Sequence, residues 1–252
     1  MTKENNKNEK NKGERIAKVI ARAGICSRRD AEKLIAEGKV KVNGKVLETP
    51  AFLVTNLDRI LVREKPLPRA ENTKLYIYHK PPGRITTNKD ELNRPTIFEA
   101  LPKDMPRVVS VGRLDMNSEG LLLLTNDGEL SRYLELPSTG WKRKYRVRAF
   151  GTVDVEKLEA LKKGIVVDGI KYASIEATLV KEQGSNNWLE VTLIEGKNRE
   201  IRRVMEAIGL DVNRLIRVSY GPFQLGHINR GEVVEIKEKV LKDQVAGFFN
   251  KR

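Results

Sequence analysis

Hydrophobic residues recur at helical spacing from residue 16 to residue 23, after an N-terminal stretch with almost nothing to bury. Ser27 then offers an N-cap to a second short helix, which Gly38 ends. The next segment, KVKVNGKVL, alternates apolar and polar positions on both sides of Asn43-Gly44, a strong signal for a tight β-hairpin. The pattern therefore predicts a compact helix–helix–hairpin unit near the N-terminus.

Beyond residue 74 the apolar pattern switches repeatedly between strand and helix periodicity. The predicted strands cover residues 75–79, 108–111, 120–125, 142–150, 175–181, 187–194, 214–220 and 232–237. The predicted helices cover residues 128–135, 154–162, 198–208 and 239–248. Tight turns rather than helical crossovers separate many of these strands. The pattern therefore favours an α+β fold with a mixed, mostly antiparallel sheet over a doubly wound fold.

These patterns divide the chain into four segments. Residues 1–12 contain only Met, Thr, Lys, Glu and Asn, and they predict a disordered basic tail. Residues 14–61 form the helix–helix–hairpin domain. Residues 62–73 are polar and carry two prolines, so they predict a linker. Residues 74–245 form the second, larger domain.

The chain is strongly basic, which changes the range of partners to consider. Its 252 residues include 48 Lys and Arg and 34 Asp and Glu, with a formal net charge of +14 and a pI near 9.8. Residues 1–70 hold 17 Lys and Arg and nine Asp and Glu, more than half of the excess. A charged helix face is usually only solvated, but these cations gather around the second helix, as a phosphate-binding face requires. The candidate RNA-binding residues there are Arg22, Arg28, Arg29 and Lys33.

Composition argues against several other classes of protein. A single cysteine excludes an internal disulfide framework and a Cys-rich zinc site, and neither His79 nor His227 stands at a metal-ligand spacing. No apolar stretch approaches the ~20 residues needed to span a bilayer, and the N-terminal residues contain no secretory signal. The sequence predicts a cytoplasmic protein with no membrane partner and no metal site.

The stretch GRLDMNSEGLLLLTNDGEL raises three alternatives for Asp115. The six residues from Asp115 onward imitate the start of a calcium-binding loop. The position of the closing glutamate holds Asn126, however, and the flanking segments predict strands rather than paired helices. DMNSEG is also rich in turn-forming residues, so a purely structural aspartate is the main alternative to a reacting carboxylate. Spacing alone leaves that choice open.

The segment PSTGWKRKYRVRAFG predicts a strand that places an aromatic residue within a basic surface. Tyr145 shares one face with residues 143 and 147, and the opposite face is basic. Such a ring suits a stacked nucleobase with its phosphates nearby, although an ordinary core tyrosine is the alternative. Lys142 and Lys144 are the candidate RNA contacts on this strand.

The segment EGKNREIRRVMEAIG predicts an amphipathic helix with a basic start. Its apolar stripe consists of Ile201, Val204, Met205 and Ile208. The cations at its start are Lys197, Arg199, Arg202 and Arg203. Capping favours acidic residues in a first turn, so this many cations indicate a negative group nearby, either RNA phosphate or Asp115. Lys197 and Arg199 are candidate RNA contacts.

Four segments together resemble the ordered motifs of one family. HKPPG, VGRLDMNSEGLLLLTNDGEL, KYRVRAFG and GKNREIRRVMEAIG are similar to those of the RsuA/RluB family of ribosomal RNA pseudouridine synthases, with STGWKRKYRVRAFG closer to the large-subunit, RluB-like type. The N-terminal unit resembles the S-four-like RNA-binding domain, first known from a small-subunit ribosomal protein. The resemblance covers about residues 14–240 and lacks no motif. It implies a sheet of the pseudouridine synthase type preceded by an S-four-like domain.

The resemblance also implies an activity and residue roles. The expected reaction is a cofactor-free conversion of uridine to pseudouridine in ribosomal RNA, with 23S RNA as the expected substrate and a monomer as the active form. Asp115 matches the catalytic aspartate, which acts as a nucleophile or as the base that removes a ribose proton. Tyr145 matches the tyrosine that stacks on the uracil and removes the carbon-five proton. Arg202 matches the arginine that pairs with the aspartate, and Arg113 is expected to contact phosphate or hold the flipped nucleotide.

Two other classes remain as alternatives to an RNA isomerase. A non-catalytic RNA-binding or ribosome-assembly factor would keep the fold only as a binding surface, and loss of the aspartate or tyrosine would mark it. Both Asp115 and Tyr145 are present. A nuclease would need two metal ions and several clustered carboxylates to hold them. The motifs supply a single carboxylate, that of Asp115.

Overall fold

The computed structural model describes residues 13–250, so the predicted tail at residues 1–12 lies outside the described residues. The chain divides into two compact units, with the boundary between Thr73 and Lys74. Each unit buries a hydrophobic core of its own.

The first unit consists of two helices and two small sheets. Its elements are β1 Glu14–Arg15, α1 Ile16–Arg22, α2 Arg28–Ala36, β2 Val40–Val42, β3 Lys45–Val46, β4 Leu53–Val54, β5 Ile60–Val62 and β6 Lys65–Pro66. One sheet has the order β3-β2-β5-β6, and β1 pairs with β4. Ser27 caps α2 as predicted, because its Oγ accepts a hydrogen bond from the Asp30 backbone N–H at 3.1 Å. The predicted helix–helix–hairpin order is present.

The segment predicted as a linker, residues 62–73, begins inside a second hairpin that the pattern did not reveal. Val62 lies in β5 and is buried in the core of this unit, and β6 follows after Arg63 and Glu64. Both of these turn residues have positive φ, 51° and 63°, a conformation that usually selects Gly or Asn. The turn lacks those residues, so its composition carries no hairpin signal.

The second unit contains five helices and eleven strands among its described residues. They are β7 Leu75–Lys80, β8 Val109–Ser110, β9 Ser118–Thr125, α3 Gly128–Glu135, β10 Arg143–Phe150, α4 Val155–Ala160, β11 Ile165–Val167, β12 Ile170–Tyr172, β13 Ile175–Gln183, β14 Asn186–Leu193, α5 Glu200–Ala207, β15 Asp211–Tyr220, β16 Phe223–Gln224, β17 Val233–Glu235, α6 Glu238–Gln244 and α7 Ala246–Phe249. Short 3₁₀ turns lie at Phe98–Ala100, Pro137–Thr139 and Leu161–Lys163.

Nine strands of the second unit form one mixed sheet within the described part of the chain. Seven of them follow the order β13-β14-β10-β15-β9-β7-β17, with β16 beside β15 and β8 beside β9. These pairs are antiparallel except for the parallel pair of β9 and β15. The predicted α+β fold with a mixed, mostly antiparallel sheet is confirmed.

Helices pack on the sheet in two clusters. Leu158 of α4 and Val204 of α5 share one core with the inward side chains of β10, β14 and β15. Leu134 of α3, Leu241 of α6 and Phe248 of α7 share the other core with β7 and β9. Because β9 contributes side chains to both clusters, all eight of its residues are buried, which explains its uninterrupted run of four leucines.

The structure contains a hairpin that was not predicted and divides one predicted helix. Residues 165–172 form the hairpin β11–β12, whose turn residues Asp168 and Gly169 both have positive φ. Asp-Gly is itself a hairpin signal, so this element was within reach of the sequence. The predicted C-terminal helix is divided at Val245 into α6 and α7.

Strands β9 and β15 approach each other very closely at Gly120. Gly120 pairs with Arg217 in the parallel register, and its φ is 107°. A Cβ added at Gly120 would lie 2.3 Å from the Arg217 carbonyl oxygen, so a larger residue does not fit. This close approach holds the start of β9, which follows Asp115, against the strand that carries Arg217.

Candidate active site

A cavity of about 380 Å³ brings together residues from the turn before β9, from β10, from β15 and from the start of α5. Asp115 and Tyr145 both line it, and Arg113 lies beside them. Its buried charged or polar lining residues are Ser118, Arg143, Glu200, Arg217 and Tyr220. Two of the three predicted catalytic residues therefore share one cavity.

Lys80, from the HKPPG segment, supports the turn that carries Asp115. Its Nζ donates hydrogen bonds to the carbonyl oxygens of Met116 and Ser118 at 3.2 and 2.9 Å. The side chain is completely buried, and this burial lowers the pKa of Lys80 to about 8, although the nearby carboxylates of Asp115 and Glu119 oppose the shift. A cation is thus held under the candidate catalytic turn.

Two further hydrogen bonds fix the same turn. The Gly83 backbone N–H donates to the Met116 carbonyl at 2.8 Å, and the Thr86 hydroxyl donates to the Leu114 carbonyl at 2.9 Å. The Asp115 carboxylate itself forms neither a hydrogen bond nor an ion pair with any residue that the structure describes. The turn is rigid while its carboxylate is available to a substrate.

Tyr145 lies on the inward face of β10, as the alternation predicted. Arg143, Tyr145 and Val147 are buried, whereas Lys144 and Arg146 are exposed. The side chain of Tyr145 is 7% exposed and forms part of the cavity wall. The predicted division of this strand into a ring-bearing face and a basic face is confirmed.

Two buried arginines stack on one tyrosine in the cavity wall. Arg143 donates from Nη2 to the Tyr220 hydroxyl at 2.7 Å and from Nη1 to the Ile194 carbonyl. Arg217 donates from Nε to the Leu121 carbonyl at 2.7 Å. The two guanidinium carbons lie 4.6 and 5.2 Å from the centre of the Tyr220 ring. This part of the wall is therefore strongly positive and suited to an anion or to developing negative charge.

Sequence reasoning missed four buried charged residues that line or support the cavity: Lys80, Arg143, Glu200 and Arg217. The alternation of β10 could have identified Arg143, because it places this arginine on the same face as Tyr145. Glu200 is buried at the start of α5, and its burial raises the pKa of the carboxyl. No pattern in HKPPG distinguishes a buried lysine from an exposed one.

Arg202 lies outside the lining of the cavity and forms no ion pair with Asp115 in the structure. Its Nη1 donates to the Val212 carbonyl at 2.6 Å, and its Nη2 contacts the Asn117 carbonyl at 3.4 Å. Burial lowers the pKa of Arg202, the nearby Arg199 adds to this, and Asp115 opposes it. The pairing implied by the resemblance is replaced by contacts with two carbonyls, one of them two residues after Asp115.

A second, larger groove of about 1000 Å³ adjoins the cavity. The two share the residues from Gly112 to Asp115, and Lys197 and Arg199 line both. Three exposed cations, Arg113, Lys197 and Arg199, thus stand together beside Asp115. The predicted RNA contacts at the start of α5 are brought to the candidate catalytic turn.

The other candidate RNA contacts lie elsewhere. Lys142 and Lys144 are exposed next to and within β10, on the face that points away from Tyr145, and Lys142 pairs with Glu176 at 3.0 Å. The candidates in the first unit are all exposed, at the end of α1 and on α2: Arg22, Arg28, Arg29 and Lys33. Neither group of residues lines the cavity.

Within residues 13–250, no group of three or more His, Cys, Asp or Glu side chains is arranged to hold a metal ion. The segment imitating a calcium loop runs directly into strand β9. No helix in the described range is both long and apolar enough to cross a membrane.

Comparison with known proteins decides the family. Residues 74–207 match the family described as RNA pseudouridylate synthase, and residues 14–60 match the S4 domain. The chain belongs to the RNA pseudouridine synthase family. A relative in Rickettsia felis, named uncharacterized RNA pseudouridine synthase, is 51% identical over 91% of this chain and 99% of its own length. A relative in Yersinia pestis, named ribosomal large subunit pseudouridine synthase B, is 42% identical over 84% of this chain and 69% of its own length.

A solved structure supports the same assignment. A crystal structure described as pseudouridylate synthase covers 92% of this chain and 99% of its own, with a TM-score of 0.64 and 26% sequence identity. The family predicted from the four motifs and the preceding S4 domain is confirmed. This pseudouridine synthase converts uridine to pseudouridine in RNA. It is therefore an RNA isomerase rather than a non-catalytic binding factor or a nuclease.

Proposed function

We propose that this pseudouridine synthase modifies a uridine of large-subunit ribosomal RNA, with Asp115 as the catalytic carboxylate. One observation carries the proposal. Asp115 and Tyr145 line a single cavity of about 380 Å³, and that cavity opens onto a groove bearing Arg113, Lys197 and Arg199. A flipped nucleotide needs this combination, because its base must enter a closed space while its phosphates stay outside beside cations. The name of the Yersinia pestis relative supports the choice of ribosomal RNA.

The reaction exchanges one glycosidic bond for another. The bond between N1 of the uracil and the anomeric carbon breaks, the base rotates, and its carbon five bonds to the anomeric carbon and then loses its proton, while N1 gains one. Asp115 promotes departure of the base in one of two ways. It attacks the anomeric carbon and is displaced when carbon five bonds there, or it removes a ribose proton and returns it when the new bond forms. Its carboxylate has no partner among the described residues that would have to be displaced first. Product and substrate are isomers, so the reaction consumes no oxidant, reductant or co-substrate, and it is proposed to proceed without a cofactor.

Tyr145 is assigned two tasks. Its ring, in the wall of the cavity, provides a flat surface on which the detached uracil stacks and stays confined while it rotates. Its hydroxyl accepts the proton from carbon five at the end. The buried cations of Arg143 and Arg217 behind it stabilise negative charge on the uracil once it has left the sugar.

Arg202 supports the aspartate in this proposal. Its guanidinium holds the Asn117 carbonyl in the same turn, and the charge of Asp115 raises the pKa of Arg202 against the effect of burial. Arg202 is thus placed to hold the turn that carries Asp115. The enzyme is proposed to act as a monomer.

Mapping pseudouridines in the ribosomal RNA of cells that lack this protein tests the substrate. We expect one or a few large-subunit uridines to remain unmodified and the gene for the wild-type chain to restore them. Unchanged large-subunit pseudouridines, or changes confined to small-subunit or transfer RNA, would contradict the proposed substrate.

A further inference from the structure

The sheet of the second unit carries a row of basic residues on the face opposite the cavity. Lys181, Trp188, Arg148 and Arg214 are direct neighbours across β13, β14, β10 and β15. Cross-strand neighbours lie on the same face of a sheet, and in β10 that face alternates with the one that carries Tyr145. Arg146 and Lys144 continue the surface along β10. We call these six residues the open basic face.

The cations of this face are poorly neutralised. Lys144, Arg146, Arg148 and Lys181 form no ion pair with any carboxylate in the described part of the chain. Arg214 pairs with Glu119, which also holds Arg230 at 2.9 Å. Glu190 stands opposite Arg146 in the register but does not pair with it. The surface therefore retains excess positive charge.

Stability of the fold does not explain this arrangement. Arg148 and Arg214 are directly opposite each other in the β10–β15 register, and like charges placed in this way destabilise a sheet. Lys144, Arg146 and Arg148 repeat at every second residue, about 7 Å apart, which adds further repulsion. A bound polyanion would offset that repulsion.

Trp188 stacks against two arginines of this face, Arg146 and Arg214. The guanidinium carbons of Arg146 and Arg214 lie 5.1 and 5.9 Å from the centre of its ring. Stacking on an aromatic ring holds a guanidinium extended, so less conformational entropy is lost when it binds phosphate. The face is thus preorganised for an anion with many oxygen atoms.

We propose that the open basic face binds the phosphate backbone of a second segment of the substrate RNA, separate from the one that carries the target uridine. The inference rests on the proposed ribosomal RNA substrate. Because the face and the cavity lie on opposite sides of one sheet, a short stem–loop seated at the cavity does not reach both. Only a large folded RNA presents a second segment there. This surface also gives a role to Lys144, which the cavity leaves without one.

The test compares two triple variants with the same loss of charge. Lys144→Gln/Arg146→Gln/Arg148→Gln removes the ladder of β10, and Lys157→Gln/Lys162→Gln/Lys163→Gln removes three exposed lysines in and after α4. Lys144→Gln/Lys181→Gln serves as a milder variant that keeps both arginines stacked on Trp188. Affinity for large-subunit ribosomal RNA and for a short stem–loop containing the target uridine is measured as a function of salt, together with the rate of pseudouridine formation.

We expect the β10 variant to bind the long RNA at least about 10-fold more weakly than the α4 variant, with a salt slope smaller by about 2, while the stem–loop is bound and modified as by the wild type. The milder variant should show a smaller change in the same direction.

Equal affinities of the two triple variants for long RNA would overturn the proposal, and so would an equal loss of affinity for the stem–loop. Loss of binding only to particles that contain ribosomal proteins would indicate a protein partner and also overturn it. A wild-type chain that binds ribosomal RNA but does not modify it would contradict the proposed function alone.

Discussion

Asp115 owes its position to backbone contacts made by residues far away in the sequence. Lys80, Gly83 and Thr86 bind carbonyl groups on both sides of it, so the turn is fixed while the carboxylate stays unpaired. The motif around Asp115 could be recognised from sequence because its residues are contiguous. The supporting contacts could not, since they depend on how β7 lies against β9.

Among single substitutions, Tyr145→Phe separates the role of the ring from that of the hydroxyl. The ring surface is kept, so affinity for RNA should be close to that of the wild type, while turnover falls by about 100-fold or more because the proton acceptor is lost. Single-turnover rates and dissociation constants on the same RNA measure the two effects. Tyr133→Phe is the matched control, since Tyr133 packs on Phe248 outside the cavity. Wild-type turnover by Tyr145→Phe would rule out the hydroxyl as the base.

Lys80→Met tests whether the buried cation positions the catalytic turn. The carbonyls of Met116 and Ser118 lose the Lys80 donor, although Met116 keeps that of the Gly83 N–H. Asp115 is then less well placed, so kcat should fall about 100-fold with little change in KM. Lys103→Met, at an exposed site in the segment before β8, should leave both constants unchanged. A wild-type kcat in Lys80→Met would show that the turn keeps its conformation without the Lys80 hydrogen bonds.

The same variant carries a pH signature. The folded pKa of Lys80, about 8, lies below its usual value of 10.5, so above about pH 8 the unfolded chain binds a proton that the folded chain does not. The free energy of unfolding of the wild type should therefore rise, relative to Lys80→Met, between pH 8 and pH 10.5, and stay constant below pH 8. Denaturant titrations across this range measure the difference.

The strands and hairpins that could be predicted from sequence were those with alternating apolar and polar residues or with characteristic turn residues. The two faces of β10 and the Asn43-Gly44 hairpin followed directly from local pattern. The turn at Arg63 and Glu64 did not, because positive φ in non-glycine residues leaves no trace in composition. The parallel pairing of β9 with β15 was also out of reach, since it joins segments about a hundred residues apart.

Gly120→Ala tests that parallel pairing. The added Cβ would meet the Arg217 carbonyl oxygen at 2.3 Å in a backbone conformation that alanine disfavours, so the free energy of unfolding should fall by at least about 1–3 kcal/mol. Gly128→Ala, at the start of α3, is the control because no atom lies within 4 Å of its added Cβ. Chemical denaturation of both variants checks the difference. Equal stability would mean that the strands are less closely packed than the structure shows.

Across the molecule, we expect the first unit to add affinity for RNA while the second unit carries out the chemistry. The first unit has exposed cations on α1 and α2, and the lining of the cavity comes from the second unit. A chain that begins at Glu71 should fold and keep its active site but bind RNA more weakly. Its salt slope should be reduced by about 0.7–0.9 for each phosphate that the first unit neutralises in the full chain. Unchanged affinity and salt dependence after this truncation would contradict the RNA-binding role expected of the first unit.

Pseudouridine formation by Asp115→Asn decides whether Asp115 is the catalytic carboxylate. The substitution preserves the size of the side chain and most of its turn chemistry but removes the charge, and Asp104→Asn, at an exposed site away from the cavity, is the matched control. Each protein is incubated with ribosomal RNA transcript and with immature ribosomal particles, and pseudouridine is scored. We expect folding and RNA binding close to those of the wild type for both, full activity for Asp104→Asn, and no product from Asp115→Asn. Product formation by a folded Asp115→Asn enzyme would contradict the role assigned to this carboxylate.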